Sequence, residues 1–415
     1  MVAARCSSFS LVAQGLIYAA SLLCLFPLAV AAQGVDCSIA KDAIEIASRL
    51  RGLKVARSVP CRLQGKAEVE RYLRDTIKKK IPEERIAREG KVYQLLGLIP
   101  RDYQYLEGIV GLYTEQLGGY YDAEKEFYAM AQWMPAVMQM PIAVHELTHA
   151  LQDQHFALEE LVDYKKQTSD ALMAHSALVE GDATAVMLDY ARSLSGQGSI
   201  SELENVSTFM AQNITGAMIS ASLNKAPPSL QASLIFPYVS GLNFAHVLLK
   251  EGGYAMINKG FKNPPMSTEQ ILHPEVYLKG EKGFVEVPDH APPKGVSLES
   301  KAPIFSDRFG EFLISTWLST WISPLEASKA ASGWGGDRVS LYQLTNSAQG
   351  VLVWDLRWDS VAEAREFFDA LTEAFAKRFE AEPVQTKQRA TFIDKYVGAV
   401  SITLSDQKVL LIIGA

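Results

Sequence analysis

The sequence predicts an α+β protein: a mostly helical body with a small edge sheet, followed by a C-terminal α+β unit of β-β-α-β-β order. Three observations lead there. Apolar residues recur at helical spacing through most of residues 42–257, whereas period-two runs gather in residues 338–413. The chain has 415 residues, 48% hydrophobic and 21% charged, enough to bury more than one core. With 28 Gly, 18 Pro and 4 Cys it is neither collagenous, disordered nor a disulfide-dense miniprotein. Its 40 Lys and Arg against 47 Asp and Glu leave a net charge of -7, which argues against a protein built to hold nucleic acid phosphates.

Residues 1–32 read as an export signal, with Arg5, an apolar run from Leu16 to Val30 and the small residues Ala29-Val30-Ala31-Ala32 before Gln33. Cleavage after Ala31 or Ala32 is expected, and with it a periplasmic or extracellular location. Cys37 and Cys61 are then the two thiols left, and in an exported chain they pair most simply with each other. Residues 33–115 read as an N-terminal helical region, patterned as helix from Asp42 to Arg88 with breaks at Pro60 and Pro82. Lys78, Lys79 and Lys80 are expected on a solvated face.

Residues 116–300 form the next unit. Gly118-Gly119-Tyr120-Tyr121-Asp122 reads as a turn-rich entry and Glu126 to Met130 as a short strand. Helices are expected from about Ile142 to Val162, Asp170 to Ser193, Glu202 to Leu223 and Phe236 to Ile257, then a Pro-rich connector from Asn263 to Pro303. Residues 301–415 carry an apolar helix, Phe312 to Ile322, strands at 338–345 and 350–357, an amphipathic helix, Val361 to Phe379, and strands at 390–404 and 408–413. No apolar run after the signal is expected to span a membrane.

The chemistry sits in Val144-His145-Glu146-Leu147-Thr148-His149, which contains H-E-x-x-H. Four residues of α-helix advance about 6 Å and rotate about 40°, so two imidazoles converge on one ion while Glu146, about 100° round, reaches water beside it. Leu147, Leu151, Leu158 and Val162 fall within about 60° of each other, with His145 and His149 about 160° to 200° away from Leu147. Catalytic zinc takes three protein ligands and keeps a fourth position open. His155 is one candidate for the third, but Gln152 stands where a sharp turn would need glycine, and a continuous helix carries His155 about 9 Å along and about 120° around from His149. Glu180, on the following helix in Val179-Glu180-Gly181-Asp182-Ala183, is the better placed, with His175 and Asp182 as minor alternatives.

These pieces resemble gluzincin-type zinc metallopeptidases, in which H-E-x-x-H is completed by a Glu on the next helix, often inside E-G-x-A. More closely, HELTHALQDQHF from His145 to Phe156, the upstream GGYYD and the downstream PPMSTEQILHP from Pro264 to Pro274 look like a family of exported metallopeptidase-like proteins. The likeness spans about residues 94–280, with a weaker echo in Gly333-Trp334-Gly335-Gly336-Asp337-Arg338. It implies a zincin-like catalytic domain that binds Zn2+ through His145, His149 and Glu180 and hydrolyses peptides or proteins with Glu146 as general base. By the same likeness the strand Glu126 to Met130 would be the sheet edge that pairs with substrate. Tyr238 and His273 are candidate oxyanion donors. Thr184 stands where similar enzymes carry an Asp that orients a ligand histidine, which leaves Asp182 and Asp153 as candidate second-layer partners. Two other readings share this machinery: a non-catalytic binding protein on the same fold, and a zinc hydrolase of a non-peptide amide.

Overall fold

A computed structural model describes residues 36–207, 225–347 and 349–414. The signal reading and most of the helix expected over 202–223 lie outside them. The α+β class holds. In the N-terminal half, α1 (Ile39–Arg51) leads to β1 (Cys61–Gln64), α2 (Lys66–Lys80), α3 (Glu83–Leu96) and α4 (Tyr105–Gln116). Then come β2 (Gly119–Asp122), β3 (Phe127–Ala131), α5 (Ala136–Phe156), the short α6 (Leu158–Leu161), α7 (Ser169–Ser193) and α8 (Pro228–Lys262). Cys37 and Cys61 form a disulfide that ties the start of α1 to β1.

The small sheet has the order β1-β3-β2. This corrects two expectations: Cys61–Gln64 is a strand inside a region read as helical, and Gly119–Asp122 is a strand and not only a turn. It also moves the sheet edge. β3 is central, parallel to β1 on one side and antiparallel to β2 on the other, so β2 is the open edge that faces α5.

α5 starts six residues before Ile142, passes through Pro141, and ends at Phe156, not Val162. Ala157 stops it by turning left-handed, with φ 52°, and the Asp153 carboxylate accepts the Leu158 N–H at 3.2 Å. The leucine phase therefore breaks there. Leu147 and Leu151 pack with Ala43, Ala47 and Tyr128, whereas Leu158 joins the α7–α8 core beside Ala174 and Leu178.

α7 begins where Thr168 caps the Ala171 N–H, and it crosses α8 at backbone distance. A Cβ on Gly181 would lie 2.1 Å from the Gly241 carbonyl oxygen, and one on Gly241 would lie 2.2 Å from that of Ala177. Glycine at both positions is what brings the Tyr238 turn of α8 against Glu180. α8 is longer than the expected Phe236 to Ile257 and bends at Gly252 and Gly253, the latter at φ 62°. By length and composition it could cross a membrane, contrary to the sequence expectation, but 56% of its apolar window is buried inside the fold.

The connector expected from Asn263 to Pro303 holds two short helices, α9 (Thr268–Leu272) and α10 (Pro274–Leu278). Next come β4 (Phe305–Asp307), α11 (Gly310–Ser319), α12 (Pro324–Ala331), β5 (Trp334–Gln343), β6 (Gly350–Trp358) and α13 (Val361–Phe379). The chain closes with β7 (Val384–Gln385), β8 (Arg389–Asp394), β9 (Gly398–Ser405) and β10 (Lys408–Ile413). The run expected over 390–404 is thus a hairpin, turned where Asp394 accepts the Tyr396 and Val397 N–H groups. The seven strands form one antiparallel sheet, β4-β5-β6-β10-β9-β8-β7, backed by α11 to α13. Its core is continuous with Leu96, Leu98, Leu112 and Leu230 of the first half, and the Trp317 indole donates to the Leu96 carbonyl at 2.7 Å. The C-terminal unit is therefore packed onto α3 and α8.

A buried polar cluster joins the halves. Asp170 at the start of α7 accepts from Arg308 and from the Thr268 hydroxyl and N–H, and His273 pairs with Glu311 at 2.9 Å. Beside them Glu269 is 7% exposed, and burial together with the Glu311 charge pushes its carboxyl up to about 8. A carboxyl raised above its unfolded value favours the neutral form on folding, so stability is full below about pH 4.5 and declines as pH rises toward about 8. Glu269→Gln should flatten that decline in denaturant midpoints measured from pH 5 to 8.5; an unchanged slope would assign the decline elsewhere.

Candidate metal centre

α5 presents His145 and His149 on one face, and α7 crosses it so that Glu180 meets both. Glu180 Oε2 lies 3.1 Å from His145 Nε2 and 3.4 Å from His149 Nε2, and the two imidazole nitrogens are 3.1 Å apart. Among the described residues these three form the one group of His, Cys, Asp or Glu with ligand atoms all within 4.8 Å. Three donors about 2.05 Å from a tetrahedral ion stand about 3.3 Å from one another, so the spacing matches a zinc-sized ion. Two imidazoles and a carboxylate suit zinc better than calcium or magnesium, which prefer all-oxygen sites.

Charge draws the three side chains together. Burial works against ionising either partner, yet the His149 and His145 imidazoles hold the Glu180 carboxyl below the ordinary carboxylate range. Burial likewise opposes a charge on His149, but Glu180 overrides it and pushes the imidazole up to about 9. Glu146, next to the trio, accepts the Tyr121 N–H of the β2 edge at 3.1 Å. Burial raises its carboxyl, an effect that the two histidines oppose.

The other sequence candidates separate cleanly. The exposed His155 turns away and donates to the Lys54 carbonyl at 2.8 Å. His175 bonds the Leu161 carbonyl at 2.6 Å. Tyr238 is at the site: its ring centroid lies 6.1 Å from that of His145, and burial, with the Glu180 and Glu146 charges, pushes its hydroxyl well up. His273 is not, being engaged by Glu311 in the polar cluster. Asp153 accepts the Tyr121 hydroxyl at 3.1 Å, which fastens β2 to α5.

A residue that sequence reasoning passed over as a missing glycine is central. Gln152 Oε1 lies 2.8 Å from His149 Nδ1, and its amide nitrogen lies 2.8 Å from Asp182 Oδ2. Its place three residues after His149 on one helical face was the available signal. Asp182 is therefore a partner one layer out and not a ligand.

The trio opens onto a cleft of about 540 Å³ lined by Tyr72, Tyr121, Leu158 and Val179, with His149 and Glu180 at its wall. α2 roofs it. Lys79 pairs with Glu124 and Lys80 with Glu159 at 3.5 Å, so the lysine run, exposed at Lys78 and Lys79 and half-buried at Lys80, also ties the roof to both walls.

Residues 301–415 match a family described as a domain of unknown function, DUF8575. That is 115 of 415 residues, the β4–β10 sheet and its helices. No curated protein and no solved structure matches the chain.

Proposed function

We propose that the chain is an exported zinc metallopeptidase. The observation that carries this reading is the convergence of His145, His149 and Glu180 beside Glu146, which hangs from the open edge of a strand. Bound there, zinc would supply Lewis acidity to a carbonyl and to a water. Glu146 takes the proton of the attacking water and passes it to the leaving amine. In an antiparallel pair alternate residues point their backbone groups outward, and Tyr121 N–H already does so toward Glu146; Gly119 and the Tyr121 carbonyl are then free to pair with an extended peptide. Tyr238 is the oxyanion donor we assign, in preference to His273. The Cys37–Cys61 disulfide supports an oxidising compartment and hence export.

Hydrolysis of a denatured protein tests the reading. The zinc-loaded chain should cleave it, a chelator should stop cleavage and added zinc should restore it. Zinc binding without cleavage of any amide would favour the binding-protein alternative. Cleavage of small amides alone would favour a non-peptide hydrolase.

A further inference from the structure

A buried polar chain runs from the metal trio to the N-terminal arm. Gln152, Asp182 and Arg51 are each 0% exposed. The Gln152 amide nitrogen lies 3.1 Å from the Val179 carbonyl oxygen and 2.8 Å from Asp182, and Arg51 Nε lies 2.7 and 2.8 Å from the two Asp182 oxygens. Arg51 is held in turn by Asn258 at 2.8 Å and by the face of Tyr254, 4.7 Å from its ring centroid.

The chemistry of these groups fixes the direction of every bond. A carbonyl and a carboxylate paired with Arg51 only accept, so the Gln152 atom that faces them must be the NH2. The amide cannot flip, and its Oε1 must face His149 Nδ1. An amide oxygen only accepts, so Nδ1 carries a proton in either charge state, and in the neutral ring that ligates a metal the lone pair is on Nε2, facing the trio. His145 shows the contrast, because its Nδ1 is buried without a hydrogen-bond partner.

We propose that Gln152, Asp182 and Arg51 are positioning residues that lock His149 into its Nε2-ligating tautomer, which makes the last residue of α1 part of the metal centre. This rests on the metal-site reading above. It gives the N-terminal arm a constructive role: Arg51 closes the chain from helix α1, whose start is fastened by the Cys37–Cys61 disulfide.

The test is equilibrium zinc competition on the full chain, with proton–nitrogen spectroscopy of the zinc-loaded imidazoles. Gln152→Met, which keeps the volume and removes the acceptor, should weaken zinc by roughly 10- to 100-fold. Gln152→Glu combined with Asp182→Asn keeps an acceptor on Nδ1, although its second oxygen then faces the Val179 carbonyl, and should retain more zinc affinity than Gln152→Met. The wild-type spectrum should show a slowly exchanging Nδ1–H on His149. Wild-type affinity in Gln152→Met, or a His149 with its proton on Nε2, would overturn the relay; the second holds even if the variants fail to fold. His145→Ala separates the layers: if it binds zinc like wild type, the metal site itself is wrong, and if it alone loses zinc, only the relay is.

Discussion

Glu146→Gln should keep its zinc and lose turnover by on the order of 10² to 10⁴. The amide oxygen can still accept the Tyr121 N–H that holds Glu146 at 3.1 Å, so the side chain stays where it is. It cannot take a proton from water. Zinc content and steady-state hydrolysis of a denatured protein, measured on one preparation, separate the two roles. Near wild-type hydrolysis would remove Glu146 as the base; loss of zinc along with activity would mean that the substitution damages the site.

Glu180→Ala should lower zinc affinity by more than the roughly 10- to 100-fold typical of an outer-layer change, while His155→Ala should leave it at the wild-type value. Glu180 touches both imidazoles, at 3.1 and 3.4 Å, and no other carboxylate among the described residues completes the group. His155 is exposed, spends its ring on the Lys54 carbonyl and sits nearly two helical turns past His149. Zinc competition on both variants reads the difference. Retained affinity in Glu180→Ala with loss in His155→Ala would reverse the ligand assignment.

The parts of this site legible in the sequence follow from helical periodicity. Spacing alone puts His145 and His149 on one face and turns His155 away, and both needed only that α5 run past Gln152, which it does as far as Phe156. The end of α5 was not legible, because a left-handed Ala157 replaces the usual glycine and the apolar phase runs on past it. Cys61–Gln64 became a strand through parallel pairing with β3, whose partners lie 67 residues further along, as Cys61 opposite Tyr128, which Cys-Arg-Leu-Gln does not announce. That pairing made β2 the open edge. Arg51 gave no local signal: it ends an amphipathic helix as an ordinary last-turn cation, and only the fold places it against Asp182. His273 misled for a related reason, since a histidine in a motif-like stretch can serve a buried polar cluster as readily as a reaction.

The most direct test is the position and ligand set of zinc in crystals of the zinc-loaded chain, located by anomalous scattering at the zinc edge. One fully occupied ion is expected, bound by Nε2 of His145, Nε2 of His149 and a carboxylate oxygen of Glu180, each at about 2.0 to 2.2 Å, with a fourth position open toward Glu146. An ion held by His155 or His175, a closed site with four protein ligands, or no zinc at saturating concentration would contradict it.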